Sequence, residues 1–153
     1  MSKYPGKVKA IRWHDIGDIR LDEIQLPRPR SDEILVKNLV GGICMTDRHV
    51  WLSGIMVDKK LHYPSILGHE GCSEVVELGE NVNCDKEGNQ LKEGDLVVYE
   101  DILPCGQCVF CRRATWNICP QARYAAMKPG VFVEYWPYPR IQLHKATGIK
   151  PKE

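Results

Sequence analysis

The stretch PCGQCVFCRRATWNICP, residues 104–120, concentrates four cysteines in one short segment, at Cys105, Cys108, Cys111 and Cys119. Its few apolar side chains cannot fold it alone, because ordering a residue costs about 1–2 kcal/mol while burying a large apolar side chain returns about 1.5–3 kcal/mol. A zinc ion bound by protein thiolates contributes about 10–16 kcal/mol of apparent binding free energy. The spacing therefore predicts a lobe closed by four thiolates around a structural zinc.

The composition limits the remaining possibilities. The chain has 153 residues, a hydrophobic fraction of 43% and a net charge of +1, which suits one domain spanning residues 1–153 with its own core. We expect no nucleic-acid and no membrane partner, since the charge is balanced and no stretch approaches the ~20 apolar residues of a membrane span. The start of the chain lacks a secretory signal, so a cytoplasmic location is expected. In a reducing compartment, seven cysteines indicate metal binding or catalysis rather than disulfides.

Most of the chain outside the lobe has the pattern of β-strands. Apolar runs, several of them alternating with polar residues, are separated by glycine and proline. The predicted strands cover residues 7–13, 19–26, 33–40, 72–79, 95–100 and 131–136. A short helix is predicted at 46–53, opened by a Thr46 or Asp47 cap, and residues 84–95 are predicted to form a surface hairpin. Without long amphipathic helices between the strands, the pattern favours a β-barrel or sandwich over a parallel α/β sheet.

A second candidate metal site combines one cysteine and one histidine from different parts of the chain. Cys44 lies in GGICMTD at the end of a predicted strand, and His69 lies in LGHEG just before the next. Both residue types bind zinc, and a catalytic zinc uses three protein ligands and one open position. Taken alone, such a cysteine is better explained as a small buried hydrophobe, and such a histidine as a surface or turn residue. The chain thus carries one closed site and, as a hypothesis, part of an open one.

Four motifs occur in a single order, GGICMTDRH, YPSILGHEG, EGDLVVYE and PCGQCVFCRRATWNICP. Together they resemble the N-terminal catalytic domain of the zinc-dependent alcohol dehydrogenases, in the medium-chain dehydrogenase superfamily. The resemblance implies a mainly β fold, a GroES-like distorted β-barrel with short helices and a four-cysteine zinc lobe. It implies that Cys44 and His69 bind a catalytic zinc and that Glu70 is an occasional or alternative ligand. Asp47 would orient His69, since a ligating imidazole normally donates its other N–H to a carboxylate or carbonyl.

The same resemblance implies an oxidoreductase that transfers hydride between an alcohol or polyol and NAD or NADP. Zinc lowers the pKa of a bound water from about 15.7 to about 7, and an alcohol is expected to respond similarly. By the same resemblance, Thr46 would accept the proton and His49 would pass it to solvent. Their spacing suits these roles, since residues three apart share a helix face. Considered without the family, Thr46 is equally well explained as a helix cap, and His49 is better explained as a solvated helix residue.

One expected feature of a complete dehydrogenase is missing from these 153 residues. They contain no GxGxxG motif, so the Rossmann fingerprint for a dinucleotide is absent. The third protein ligand of the catalytic zinc is likewise expected from beyond the end of the chain, and Glu153 is not expected to replace it. We therefore expect a piece of a longer dehydrogenase that is inactive without its C-terminal Rossmann domain.

The expected cofactors and partners follow from that interpretation. They are one structural zinc, one catalytic zinc, NAD or NADP in the full-length protein, and a small-molecule alcohol or polyol substrate. The family also allows a homo-oligomer. Aliphatic, aromatic and polyol substrates all remain open, and so does the choice of NAD or NADP, because the acidic residue that discriminates them belongs to the Rossmann domain.

Two other classes of protein remain open at this point. CxxCxxC followed by Cys119 and Pro120 loosely resembles a bacterial ferredoxin, although the last spacing there is three residues and here it is seven. Alternatively, a non-enzymatic β-barrel stapled by the lobe zinc would serve binding, and Cys44 and His69 would be incidental. Metal analysis separates the classes: iron favours the first, one zinc the second, and two zinc ions the dehydrogenase.

Overall fold

The computed structural model describes residues 4–54, 64–124 and 129–149. In these ranges the strands are β1 (Lys7–Asp15), β2 (Asp18–Gln25), β3 (Glu33–Gly42), β4 (Ser65–Ile66), β5 (Glu70–Leu78), β6 (Leu96–Tyr99), β7 (Ile102–Leu103), β8 (Arg123–Tyr124), β9 (Tyr135–Pro139) and β10 (Leu143–Lys145). The helices are α1 (Met45–Ser53) and α2 (Val109–Arg112), with 3-10 turns at Trp116–Ile118 and Arg140–Gln142. The mainly β architecture with short helices confirms the predicted fold class. Within the same ranges, no helix has the length and apolar character needed to cross a bilayer.

The strands form three antiparallel sheets. The largest has the order β10-β6-β5-β3-β9, a second has the order β2-β1-β4, and β7 pairs with β8 at the base of the lobe. Because β3 and β5 are antiparallel neighbours, the last residue of β3, Gly42, pairs with the first residue of β5, Glu70. This pairing brings the segment that follows β3 to the segment that precedes β5.

The core consists of three clusters of buried side chains. The largest lies on the five-stranded sheet and contains Ile34, Val36, Val75, Val82, Leu91, Val97, Tyr138 and Leu143. A second, between that sheet and the smaller one, contains Val8, Ala10, Leu26, Leu35, Ile66 and Val133. The third joins Trp13 of β1, Val50 of α1 and Leu67. This small cluster matters for function, because it fixes α1 against the segment that leads to His69.

The predicted strand at 131–136 is wrong in its placement, since the regular strand is β9, five residues that end in Pro139. Residues 131–134 instead bridge two other segments through backbone hydrogen bonds. Val131 N–H donates to the Gly68 carbonyl at 3.1 Å, and Ile11 N–H donates to the Phe132 carbonyl at 2.8 Å. β9 contains proline, which is tolerated because β9 is an edge strand, where a missing N–H donor does no harm.

The hairpin predicted at 84–95 is present, closed by a bridge between Cys84 and Gln90, but it contains a buried carboxylate. Asp85 has 0% of its surface exposed. It accepts hydrogen bonds from the backbone N–H groups of Glu87 (2.9 Å), Asn89 (2.9 Å) and Lys145 (2.8 Å), and from Asn89 Nδ2 (3.0 Å). Burial opposes ionisation of this group, yet the hydrogen bonds outweigh burial and lower the pKa of Asp85 below its ordinary value. The carboxylate thus ties the hairpin to β10.

Asp85→Asn is expected to lower the free energy of unfolding by about 2–4 kcal/mol, because an amide N–H₂ would face N–H donors and leave them unsatisfied. The carboxylate's contribution is complete above its unfolded pKa of about 3.9 and is lost as the pH falls through the lower folded pKa. Urea unfolding at neutral and acidic pH measures both effects. The difference between parent and variant should shrink in acid, and a difference that is constant with pH would contradict the assignment.

Candidate metal centres

The four cysteines of the lobe converge in space. Their Sγ atoms all lie within 4.8 Å of one another, and the distances from Cys108 Sγ are 3.5 Å to Cys111 Sγ and 3.8 Å to Cys119 Sγ. A turn at Gly106, with φ of 74°, folds the chain back so that Cys108 N–H points at Cys105 Sγ at 3.4 Å. Local geometry therefore builds a closed set of four sulfur donors, the set that structural zinc prefers.

The thiols of this cluster have opposed acidities. Backbone N–H groups of Gln107 and Cys108 lower the pKa of Cys105 to about 6. Burial and, after it, the neighbouring Cys108 side chain together raise the pKa of Cys111 to about 12. Crowded sulfurs cannot all carry negative charge unless a cation offsets the repulsion. The cluster therefore fits a divalent cation better than four free thiols.

The lobe has almost no core of its own. Its large apolar side chains are substantially exposed, with Val109 at 52%, Phe110 at 37%, Trp116 at 47% and Ile118 at 56%. Helix α2 buries none of its residues, and Cys119 is the buried member of the cysteine set. These exposures agree with the expectation from the sequence that apolar burial cannot hold this segment.

The second cluster joins Cys44, His69 and Glu70, whose ligand atoms also lie within 4.8 Å of one another. It forms where β3 ends beside the start of β5. Cys44 is the residue that precedes α1, with φ of −78° and ψ of 156°. The His69 side chain is 9% exposed, whereas Glu70 is exposed. One thiolate, one imidazole and one carboxylate match the donor types that catalytic zinc uses, with room for a fourth ligand.

Asp47 lies behind this cluster, with 5% of its surface exposed. Its Oδ2 accepts a hydrogen bond from Cys44 N–H at 2.9 Å, and its Oδ1 accepts one from Gly68 N–H at 3.2 Å. The same Oδ1 is 3.6 Å from His69 Nδ1, a buried nitrogen with no hydrogen-bond partner in the described structure. The separation slightly exceeds a hydrogen bond. Asp47 therefore faces one ring nitrogen of His69 and leaves the other for a metal.

The predicted cap of α1 is wrong by two residues or more. The helix begins at Met45 with Cys44 as its N-cap, and Asp47 occupies the third helical position, from which its side chain bonds back to the cap. Thr46 instead lies beside the candidate ligand, with the Cys44 thiol donating to Thr46 Oγ1 at 3.6 Å. His49 is exposed one turn further along. Their role as a proton relay stays a prediction.

Sequence reasoning missed Asp101, which is half-buried near the open cluster. Burial raises the pKa of Asp101; His69 acts in the opposite direction, and the carboxylates of Glu100, Asp47 and Glu70 raise it further. Asp101 lies just after β6, and its distance in sequence from Cys44 and His69 matches no metal-binding motif. The sequence therefore provided no reason to place it near the open cluster. Among these neighbours, Asp101 adds to the negative potential around the open cluster, which favours a cation there.

Comparisons with known proteins agree with the mainly β fold. The family profile of the alcohol dehydrogenase GroES-like domain matches residues 30–148. Sorbitol dehydrogenase of Bacillus subtilis (strain 168) is 33% identical over 133 residues, which cover 86% of this chain and 36% of that protein. L-threonine 3-dehydrogenase of Pyrococcus horikoshii is 34% identical over 134 residues, covering 87% of this chain and 37% of that protein.

Solved structures show the same likeness. The crystal structure of a protein described as a zinc-binding dehydrogenase, from Sinorhizobium meliloti 1021 and bound to NADP, superposes on this chain with a TM-score of 0.80. The two are 30% identical, and the match covers 96% of this chain and 41% of that one. The fold agrees with these structures, and both donor clusters lie within the residues that the family profile matches. The chain belongs to the family of alcohol dehydrogenase GroES-like domains, in the medium-chain dehydrogenase superfamily. It spans little more than a third of the length of the curated relatives that it matches.

Proposed function

We propose that this chain is the catalytic zinc-binding domain of an oxidoreductase that transfers hydride between an alcohol or polyol and NAD or NADP. The observation that carries the proposal is the open cluster of Cys44, His69 and Glu70, built separately from the closed lobe cluster. Two similar proteins are named for dehydrogenation of sorbitol and L-threonine, both of which bear hydroxyl groups. The NADP in a similar structure supports a nicotinamide dinucleotide as the hydride acceptor.

Each residue of the open site has a chemical role in this proposal. Cys44, His69 and Glu70 hold the metal, which when bound acts as a Lewis acid on the substrate oxygen. Asp47 fixes the orientation of the imidazole and strengthens it as a donor.

Two residues of α1 would handle the proton that the alcohol loses. Oxidation of an alcohol to a carbonyl compound sends a hydride to the oxidised nicotinamide and a proton to solvent. Thr46, beside Cys44, accepts the hydroxyl proton, and the exposed His49 passes it outward as a general base. The lobe at 104–120 has no part in this chemistry, because its four sulfurs fill the coordination of their own ion.

The proposal is tested by metal content and by turnover. The purified chain should hold about two zinc ions, one in each cluster. With zinc, NAD or NADP and a panel of alcohols, we expect no steady rise in reduced-nicotinamide absorbance. The reason is that orienting reactants accounts for about 7–11 kcal/mol of barrier lowering, and these 153 residues hold no dinucleotide fingerprint. One zinc, or iron, would contradict the proposal, as would steady turnover that is lost in Cys44→Ser.

Joining the chain to a Rossmann domain should produce alcohol-dependent reduction of the cofactor. In that longer protein, Thr46→Val or His49→Ala should slow the reaction by about 10²–10⁴-fold if the residue is essential to proton transfer. The loss should be greatest at low pH, where proton removal is hardest. Equal losses at all pH values, or an unchanged rate, would exclude the relay.

A further inference from the structure

Gly42, the last residue of β3, has a backbone that lies against the side chain of the candidate ligand Glu70. It is the cross-strand partner of Glu70. A Cβ atom built on Gly42 would lie 2.7 Å from Glu70 Oε2 and 3.2 Å from Glu70 Cβ, and contacts shorter than 3.0 Å are essentially never made by real Cβ atoms. The Glu70 carboxylate therefore occupies space that exists because residue 42 has no side chain.

We propose that Gly42 is a positioning residue for the open metal cluster, because it seats the Glu70 carboxylate beside Cys44 and His69. The inference rests on the proposed function, since it presumes that this cluster holds zinc. Gly42 touches neither substrate nor cofactor in this proposal. It decides whether Glu70 acts as the third ligand or turns away into solvent.

The backbone conformation of Gly42 indicates that glycine is needed here because it lacks a side chain. A left-handed φ at Gly42 is not the reason. Its φ lies outside the positive range that disfavours other residues, so an alanine can adopt the strand conformation. The atom that the new Cβ would meet first is the exposed end of a flexible side chain. In Gly42→Ala, the clash is relieved at the lowest free energy when the Glu70 side chain rotates away from Cys44 and His69. The substitution should therefore reduce metal affinity more than it reduces the free energy of unfolding.

The other glycines near the ligands serve different contacts. A Cβ on Gly41 or Gly68 would meet the ring of Phe132, at 3.2 Å and 2.7 Å, and one on Gly71 would meet the Val40 carbonyl at 3.1 Å. These positions concern packing of the sheet and of the loop. Among the glycines that the structure describes, Gly42 is the one whose Cβ would collide with a candidate metal ligand.

A double-mutant cycle tests the proposal directly. Zinc affinity of the open site is measured by chelator competition in the parent protein, Gly42→Ala, Glu70→Ala and the double variant. The zinc of the four-cysteine lobe in the same chain is the internal reference. We expect Gly42→Ala to weaken the open site by about 10–100-fold, the range found when residues that orient ligands are removed. Glu70→Ala removes a candidate ligand itself, so its loss of affinity should be at least as large. The double variant should be no weaker than Glu70→Ala, because residue 42 would then have no carboxylate to displace.

Gly6→Ala is the matched control, since its Cβ would meet only Gln25 Nε2, at an ordinary 3.8 Å. The zinc affinity and melting temperature of this variant should equal those of the parent.

Unchanged affinity in Gly42→Ala would overturn the proposal. So would a double variant whose loss is the product of the two single losses, because Gly42 would then act through another group. A Gly42→Ala protein that cannot fold would overturn it as well, since the glycine would then serve the strand. A parent that binds zinc in the lobe alone would instead refute the proposed function, and this inference with it.

Discussion

Cys108→Ser is expected to release about one zinc ion per chain and to unfold residues 104–120, while the β-sheets stay folded. The lobe exposes much of its apolar surface, so little hydrophobic burial remains once the metal is gone. The zinc contributes about 10–16 kcal/mol, more than any other single interaction in the segment. The sheets draw their stability from the separate clusters around Ile34 and Val8, and they should not depend on the lobe.

Metal analysis and limited proteolysis measure this outcome together. New cleavage should appear within 104–120 and nowhere in β1, β3 or β5. Cys84→Ser is the matched control, because Cys84 lies in the hairpin and its Sγ accepts a hydrogen bond from Arg140 Nη1 at 3.5 Å, outside both clusters. Full zinc content and full protease resistance in Cys108→Ser would show that the four thiolates do not hold the lobe.

The lobe could be predicted from the residues alone because its information is local. Four cysteines in one short segment are close in space in most compact conformations of that segment. The free energy from burying its few apolar side chains could also be compared with the conformational entropy lost on ordering it. Most strands were predicted for the same reason, since alternation is visible within a few residues. The strand at 131–136 failed because its partners, near Ile11 and Gly68, are far away in sequence.

The open site could not be derived from spacing. Cys44 and His69 become neighbours only because β3 and β5 are antiparallel partners in the sheet, and strand order is a long-range property. Residue type and position at strand ends offered Cys44 and His69 only as a hypothesis, which the family resemblance supported, and the resemblance added Glu70 and Asp47. It did not indicate Cys44 as the cap of α1, the nearby Asp101 or the space left by Gly42, because those features depend on backbone geometry and burial.

His69→Ala should remove zinc from the open site and leave the zinc of the lobe in place. The variant loses a ligand from a set of three, so we expect affinity to fall by more than the roughly 10–100-fold that follows loss of an outer partner. Cys44→Ser should behave in the same way, because a hydroxyl is a poor replacement for a thiolate. His14→Ala is a suitable control, since His14 Nε2 is engaged by Asp22 Oδ2 at 2.7 Å and belongs to neither cluster.

Asp47→Asn distinguishes a metal-binding cluster from an incidental one. Asparagine keeps one acceptor oxygen, so one of the two backbone bonds, to Cys44 N–H or to Gly68 N–H, must be lost, at a cost of about 1–3 kcal/mol. If His69 binds zinc, the open site should also weaken by about 10–100-fold, because the neutral amide no longer strengthens the imidazole as a donor. Cobalt(II) substitution followed by visible absorbance reports the two sites separately, since four sulfurs and a mixed Cys–His–Glu set give different spectra. Loss of folding stability with both cobalt spectra unchanged would mean that Asp47 serves only the helix cap, and the open cluster would then lack the partner that a zinc-bound histidine requires.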